Sequence, residues 1–313
     1  MSRYVFGPIA SRRLGASLGV DLVRAKTCSL DCVYCEAGAT TCHTLERTEA
    51  VPVDAVISEL RQVLQTAPEL DFITFSGAGE PTLNSRIGDV IRFLKKEFPQ
   101  YKVCLLTNAC GLYDPALRRE LTGLDVVIPS LDASNEAEFQ KINRPAPGLT
   151  FEMLMAGLRA FCQESTARIL LELFIVPGVN DSPESVERFA SLIKDLRVER
   201  IQLNMLDRPG VAGWVIPAPP ETVEHFRKVL EKIVPVDCAA PRKEENAADA
   251  VRRTEMVCRI LELTAREACA AASLAEAVQV ELPVVEANLK RLISAGLLQK
   301  LPDGKVIAKQ PAG

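Results

Sequence analysis

Six short apolar runs separated by amphipathic stretches constrain this chain more than any other feature. They are Leu18–Val23, Phe72–Ser76, Val103–Thr107, Val126–Leu131, Ile169–Val176 and Ile201–Leu206. Each carries β-branched or aromatic residues with almost no polar alternation, the pattern of strands buried on both faces of a parallel sheet. Between them Val53, Val56, Ile57, Leu60, Val63 and Leu64 recur at helical spacing, as do Val186, Phe189, Ala190, Ile193 and Leu196,. Ser182 before Pro183 is a capping side chain followed by a proline at the first helical position,. Val223, Phe226, Val229, Leu230 and Ile233 close the series. The alternation predicts an α/β fold, a partial (βα)6 TIM-type barrel over residues 1–236. In such folds ligands gather at the carboxyl ends of the strands.

The pattern breaks at Asp237–Ala250, which carries Pro241, charges and alanines and reads as a linker over 237–250. Residues 251–313 form a different unit. Helices are expected over Thr254–Leu263, Leu274–Val278 and Val284–Ala295, with Gly296 as a C-cap,. A hairpin is expected from Leu297–Leu301 to Lys305–Ala308, around Asp303-Gly304,. Three helices and a β-wing suggest a C-terminal winged helix-turn-helix domain. Its third helix offers Asn288, Lys290 and Arg291 but also Glu286. The unit holds nine Lys or Arg against seven Asp or Glu, a difference of +2. That is thin for a nucleic-acid footprint, so nucleic acid and protein both stay open as its partner.

Formal net charge is −4, which gives the whole molecule no strong attraction for a polyanion,. No apolar run approaches the ~18 residues that span a bilayer, and the N-terminus lacks a basic-then-apolar leader. A cytoplasmic protein with no membrane contact is the expectation. Two histidines, His43 and His225, are too few for a His-rich metal centre. Ten cysteines are many for such a chain, and they are not laid out as a disulfide scaffold, so metal or redox chemistry is the better starting point,.

Three of those cysteines form the run Cys28-Ser-Leu-Asp-Cys32-Val-Tyr-Cys35, spaced C-x3-C-x2-C. A cubane has four irons, so three ligands in one loop leave one iron open, as catalytic metal sites leave a coordination position open. A zinc knot using Cys42 and His43 fits this spacing poorly, because zinc sites come more often as pairs of C-x2-C. The spacing, the aromatic Tyr34 before the last cysteine and the position just after the first strand together resemble the radical S-adenosylmethionine (SAM) superfamily. That resemblance implies a [4Fe–4S] cluster on Cys28, Cys32 and Cys35, with SAM chelating the unique iron. It also implies reductive cleavage of SAM to a 5′-deoxyadenosyl radical that abstracts hydrogen from a substrate, with Tyr34 near the adenine.

Further motifs fall at strand ends. Gly77-Ala78-Gly79-Glu80-Pro81 is similar to the family's Gly-Gly-Glu-Pro segment, with alanine in the middle, and the resemblance implies that it binds the SAM amino group. By itself it is also an ordinary strand-to-helix loop. Asn108 ends the third run. Ser130 and Asp132 end the fourth, before Asn143-Arg144-Pro145, and resemble superfamily contacts to the SAM ribose or carboxylate; an Asx turn or helix cap accounts for each equally well,. Val176–Asp181 ends the fifth. Gln202 and Asn204 are expected to point into the barrel as SAM or substrate contacts or as satisfied core amides. Cys42, Cys104, Cys110, Cys162 and Cys238 are spread singly and read as buried apolar residues,.

The opening Tyr4–Ile9, Ser11–Gly15, Ser17–Asp21 and Lys26-Thr27-Cys28, with Asn204–Gly210, resembles the radical SAM group related to wyosine-type tRNA base synthases. Residues 1–27 hold no cysteine for that group's second cluster, and no flavodoxin-like domain is expected. An external electron donor of flavodoxin or ferredoxin type is therefore expected, with the substrate left open among small molecule, RNA and protein. Arg12 and Arg13 offer bidentate anion binding or a paired loop. Three alternatives remain at this level: a wyosine-type tRNA-modifying enzyme, a glycyl-radical activating enzyme, and an iron–sulfur-sensing winged-helix regulator.

Overall fold

A computed structural model describes residues 4–11, 13–208, 210–238, 255–257, 259–265, 267–294 and 297–308. All six expected runs form strands: β2 (Gly15–Val20), β5 (Phe72–Phe75), β6 (Lys102–Thr107), β7 (Val126–Pro129), β8 (Arg168–Phe174) and β9 (Arg200–Asn204). They pair in parallel in that order. Two further strands extend the sheet to eight, in the order β1-β2-β5-β6-β7-β8-β9-β10. One is β1 (Val5–Ser11), antiparallel to β2; the other is β10 (Val236–Cys238), parallel to β9. The linker expected at 237–250 is thereby corrected, since Asp237 and Cys238 lie in a strand registered with Gln202 and Leu203. Residues 239–250 fall outside the described residues.

Helices α1 (Val53–Leu64), α2 (Ile87–Glu97), α3 (Pro115–Glu120), α4 (Glu136–Ile142), α5 (Phe151–Glu164), α6 (Pro183–Ile193) and α7 (Pro220–Leu230) connect the strands. Local chemistry sets their starts. Ser182 accepts the Ser185 N–H ahead of Pro183, as the sequence predicts, and Asn135 and Thr150 cap α4 and α5 in the same way,. Burial of the helix stripes on one sheet face makes the main core, where Phe75, Phe139, Phe161, Phe189 and Phe226 are fully enclosed. Each such side chain contributes about 1.5–3 kcal/mol by leaving water.

The opposite face of the sheet holds a smaller cluster. Cys104, Val126, Ile128 and Leu170 pack there with Leu14 from the β1–β2 turn, so the interior near that turn is filled by side chains,. Arg13 pairs with Glu172 of β8; Arg12 lies outside the described residues. The sheet is thus mostly parallel, with its loops and polar strand ends collected beyond the carboxyl ends.

Toward the C-terminus, residues 255–257 and 259–265 are helical, as are Ala271–Val278 and Leu282–Ser294. Leu298–Lys300 pairs antiparallel with Val306–Ala308. These elements have their own core of Val257, Ile260, Leu274, Val285, Leu292 and Leu298. Thr254, Ala295 and the expected C-cap Gly296 lie outside the described residues.

Candidate active site

The loop that carries the three cysteines leaves β2 and is clasped at its root by a two-stranded ladder, β3 (Thr27–Cys28) with β4 (Cys42–His43). The Gly77–Glu80 segment presses against that root. Lys26 N–H donates to Ala78 C=O at 2.7 Å, and Glu80 N–H to Thr27 C=O at 3.0 Å. A Cβ on Gly79 would fall 2.3 Å from the Thr27 carbonyl oxygen, and one on Gly77 2.4 Å from the Asp21 carboxyl carbon. Gly79 is required by the close approach of the Thr27 backbone at the loop root, whereas Gly77 meets only the end of the Asp21 side chain,. Gly79→Ala is accordingly expected to displace Thr27 and Cys28. The readout is iron bound after anaerobic reconstitution, which should drop at least twofold with the fold intact by circular dichroism.

N–H groups surround two of the sulfurs. Cys28 Sγ accepts from Leu30 N–H at 3.4 Å and from Asn108 Nδ2 at 3.5 Å, and Cys32 Sγ accepts from Asn143 Nδ2 at 3.4 Å. Such donors suit a sulfur that carries negative charge as a metal ligand. Burial, then the Glu80 carboxylate, pushes the Cys28 thiol up to about 12; burial, then Asp132, raises Cys32 well above the ordinary thiol value. At neutral pH these thiols keep their protons until a metal displaces them. Among the described residues no three Cys, His, Asp or Glu side chains converge tightly enough for one metal ion. A cubane, in which each thiolate takes a different iron, does not ask for that convergence. The three cysteines and their donors fit a [4Fe–4S] group.

Two buried carboxylates frame the loop. Glu80, only 3% exposed, accepts from Thr82 N–H (3.1 Å), Thr82 Oγ1 (2.6 Å), Thr107 Oγ1 (2.7 Å) and Asn108 N–H (2.8 Å). Asp132 accepts from Phe174 N–H at 3.0 Å, Asn143 Nδ2 at 3.0 Å and the Tyr34 hydroxyl. Burial raises both carboxyls above their ordinary values, and these hydrogen bonds partly offset the shift,. The Tyr34 ring stacks on Phe174 at 3.8 Å between centroids. The Asn143 Nδ2–H groups thus join Asp132 to Cys32, a link the sequence reading did not find.

The remaining site residues lie at the strand ends as expected. Gly77 is exposed and Ser130 half-buried at the end of β7, where Ser130 bridges to Glu172. Gln202 and Asn204 sit on the face of β9 opposite Ile201 and Leu203, which lie in the main core. The Gln202 Oε1 is buried and has no hydrogen-bond partner among the described residues. Of the single cysteines, Cys104, Cys110 and Cys162 are buried. Cys42 is corrected to exposed and Cys238 to half-buried, because both sit on short ladders at a sheet edge. The segment after β9 crosses the cysteine loop: Ala212 N–H donates to Val33 C=O at 2.9 Å, and a Cβ on Gly210 would meet the Tyr34 backbone at 2.7 Å. That segment leaves Trp214 and Ile216 about half exposed beside the loop.

This arrangement, a cysteine loop at the carboxyl ends of a mostly parallel sheet, defines a class of iron–sulfur radical enzymes. Residues 22–193 match the profile of the radical SAM superfamily, and the chain belongs to it. It is therefore an enzyme that works with a [4Fe–4S] cluster and SAM. Within the superfamily it belongs with the UPF0026 proteins. It is 35% identical over 207 residues to UPF0026 protein slr1464 of Synechocystis sp., covering 66% of this chain and 76% of that one. It is also 32% identical over 246 residues to a protein named GTPase Obg of Brachyspira hyodysenteriae, covering 79% of this chain but spanning only 36% of that protein. In fold it is similar to a radical SAM methyltransferase from Sphaerobacter thermophilus, with a TM-score of 0.55, 23% identity, and coverage of 71% of this chain and 65% of that one. Among the described residues no helix is long and apolar enough to cross a membrane.

Proposed function

We propose that Cys28, Cys32 and Cys35 each ligate one iron of the cluster, leaving the fourth for SAM, and that the enzyme abstracts hydrogen from a substrate entering over the carboxyl ends of the strands. When bound, cluster and SAM supply the one-electron cleavage that yields a 5′-deoxyadenosyl radical. The protein's own part is positioning and exclusion of water. Exposed Gly77, half-buried Ser130 and Asn204 line the space for SAM, together with Gly79. Glu80, Asn108, Asp132 and Tyr34, whose polar side-chain atoms are bonded within the protein, act from behind as the frame of that space. An external electron donor of flavodoxin or ferredoxin type delivers the electron at the loop. The observation that carries this reading is the set of N–H donors aimed at Cys28 and Cys32 Sγ.

Electron paramagnetic resonance tests it. Adding SAM to the reduced, reconstituted protein is expected to change the cluster signal, because a ligand joins the open iron. An unchanged signal at saturating SAM contradicts the open-iron assignment.

For residues 251–313 we propose a winged-helix domain. The support is the antiparallel pair Leu298–Lys300 and Val306–Ala308 with Cys269 bridged to Val306 as a third short edge, packed with the helices in one small core. Its charge balance makes it a docking module for protein or for an RNA substrate rather than a strong duplex binder. Filter binding of the full chain to a tRNA pool and to duplex DNA over a salt series is the check. Salt-steep duplex binding at 150 mM would overturn this reading.

A further inference from the structure

We propose that Asn143 and Asn108 are positioning residues that raise the reduction potential of the cluster, each by donating an amide N–H to a ligand sulfur; this rests on the cysteine ligation proposed above. Asn143 is 3% exposed, and its Nδ2 serves two acceptors, Asp132 Oδ2 at 3.0 Å and Cys32 Sγ at 3.4 Å. A carboxylate can only accept, so Asp132 fixes which end of the amide is the NH2 group. Asp132 is itself held by Phe174 N–H and Tyr34. The second hydrogen on Nδ2 is thereby turned toward the sulfur.

Asn108 is fixed by the opposite logic. Its Oδ1 accepts the Cys110 backbone N–H at 3.0 Å, and a backbone N–H can only donate,. Its Nδ2 then faces Ser29 Oγ at 2.9 Å and Cys28 Sγ at 3.5 Å. Among the described residues no such bond reaches Cys35 Sγ, so the donors are confined to two of the three ligands.

Reduction adds one electron from the reductant to the cluster and neither makes nor breaks a protein bond. The added negative charge is spread over the sulfurs, where a preoriented N–H stabilises it, so the reduced form gains more than the oxidised form. Removing the donor favours the oxidised form.

The test is a reductive titration of the reconstituted full chain with dithionite, followed by electron paramagnetic resonance without SAM. Wild type, Asn143→Ala and Asn108→Ala are compared at equal iron and sulfide content. Each variant is expected to lower the reduction equilibrium constant about tenfold, which for one electron is about 59 mV. If Asn143→Ala does not load a cluster, Asn108→Ala decides. A loaded variant within threefold of wild type overturns the proposal. Because SAM is absent, that outcome is separate from any failure of SAM to bind or be cleaved.

Discussion

Alanine in place of Cys28, Cys32 or Cys35, one at a time, is expected to abolish assembly of the [4Fe–4S] cluster. In the proposed ligation each thiolate takes a different iron, so losing one leaves an iron without its ligand. Among the described residues Cys42 is exposed on the outer ladder, and Cys104 packs among the apolar side chains of the opposite sheet face. The visible absorbance of the reconstituted protein and its bound iron should fall at least tenfold in each variant. Cys42→Ala and Cys162→Ala, outside the loop, should load as wild type does. Full loading of Cys32→Ala would contradict the ligand assignment.

The second large effect is on stability. Glu80→Ala removes the acceptor for two backbone N–H groups, of Thr82 and Asn108, and for two threonine hydroxyls, all in a buried site. The hydroxyls can turn to other acceptors, while the backbone groups cannot. At ~1–3 kcal/mol for each donor left unsatisfied, the loss should be on the order of 4 kcal/mol. That is a large part of the ~5–15 kcal/mol that holds a domain folded. Urea denaturation of the apoprotein measures it; a loss below about 1 kcal/mol would show that Glu80 does not hold the loop root together.

The same residue carries a pH signature. Burial keeps the Glu80 carboxyl above its ordinary 4.5 in the folded state, so the folded protein holds this proton more tightly than the unfolded chain does. Its proton-linked stabilisation is fully present below about 4.5 and is lost as pH rises through the folded value. Glu80→Gln has no such proton. The stability difference between wild type and Glu80→Gln should therefore shift in favour of the variant as pH rises from 4.5. Parallel pH profiles would contradict this.

The parallel strands were legible because each is buried on both faces and reads as an unbroken apolar run. β1 was not, since Gly7-Pro8 interrupts its apolar residues and only Val5 and Pro8 are buried in it. β10 was hidden because three half-buried residues, Val236–Cys238, carry no periodicity. In the site, the cysteine spacing pointed to the group to be bound, and the strand-end motifs pointed to its surroundings. The partners of those motifs were not legible. Glu80 and Asp132 stand where a ligand-binding carboxylate would, yet their acceptor atoms engage Thr107, Asn108, Asn143 and Tyr34. Asn143 lies 111 residues from Cys32, and no local pattern reports a hydrogen bond across that distance.

The measurement that tests the central claim most directly is the amount of 5′-deoxyadenosine formed when the anaerobically reconstituted full chain is given SAM and dithionite. Product is expected from the wild type and none from Cys32→Ala. A wild type carrying a full cluster that forms no 5′-deoxyadenosine would contradict that claim.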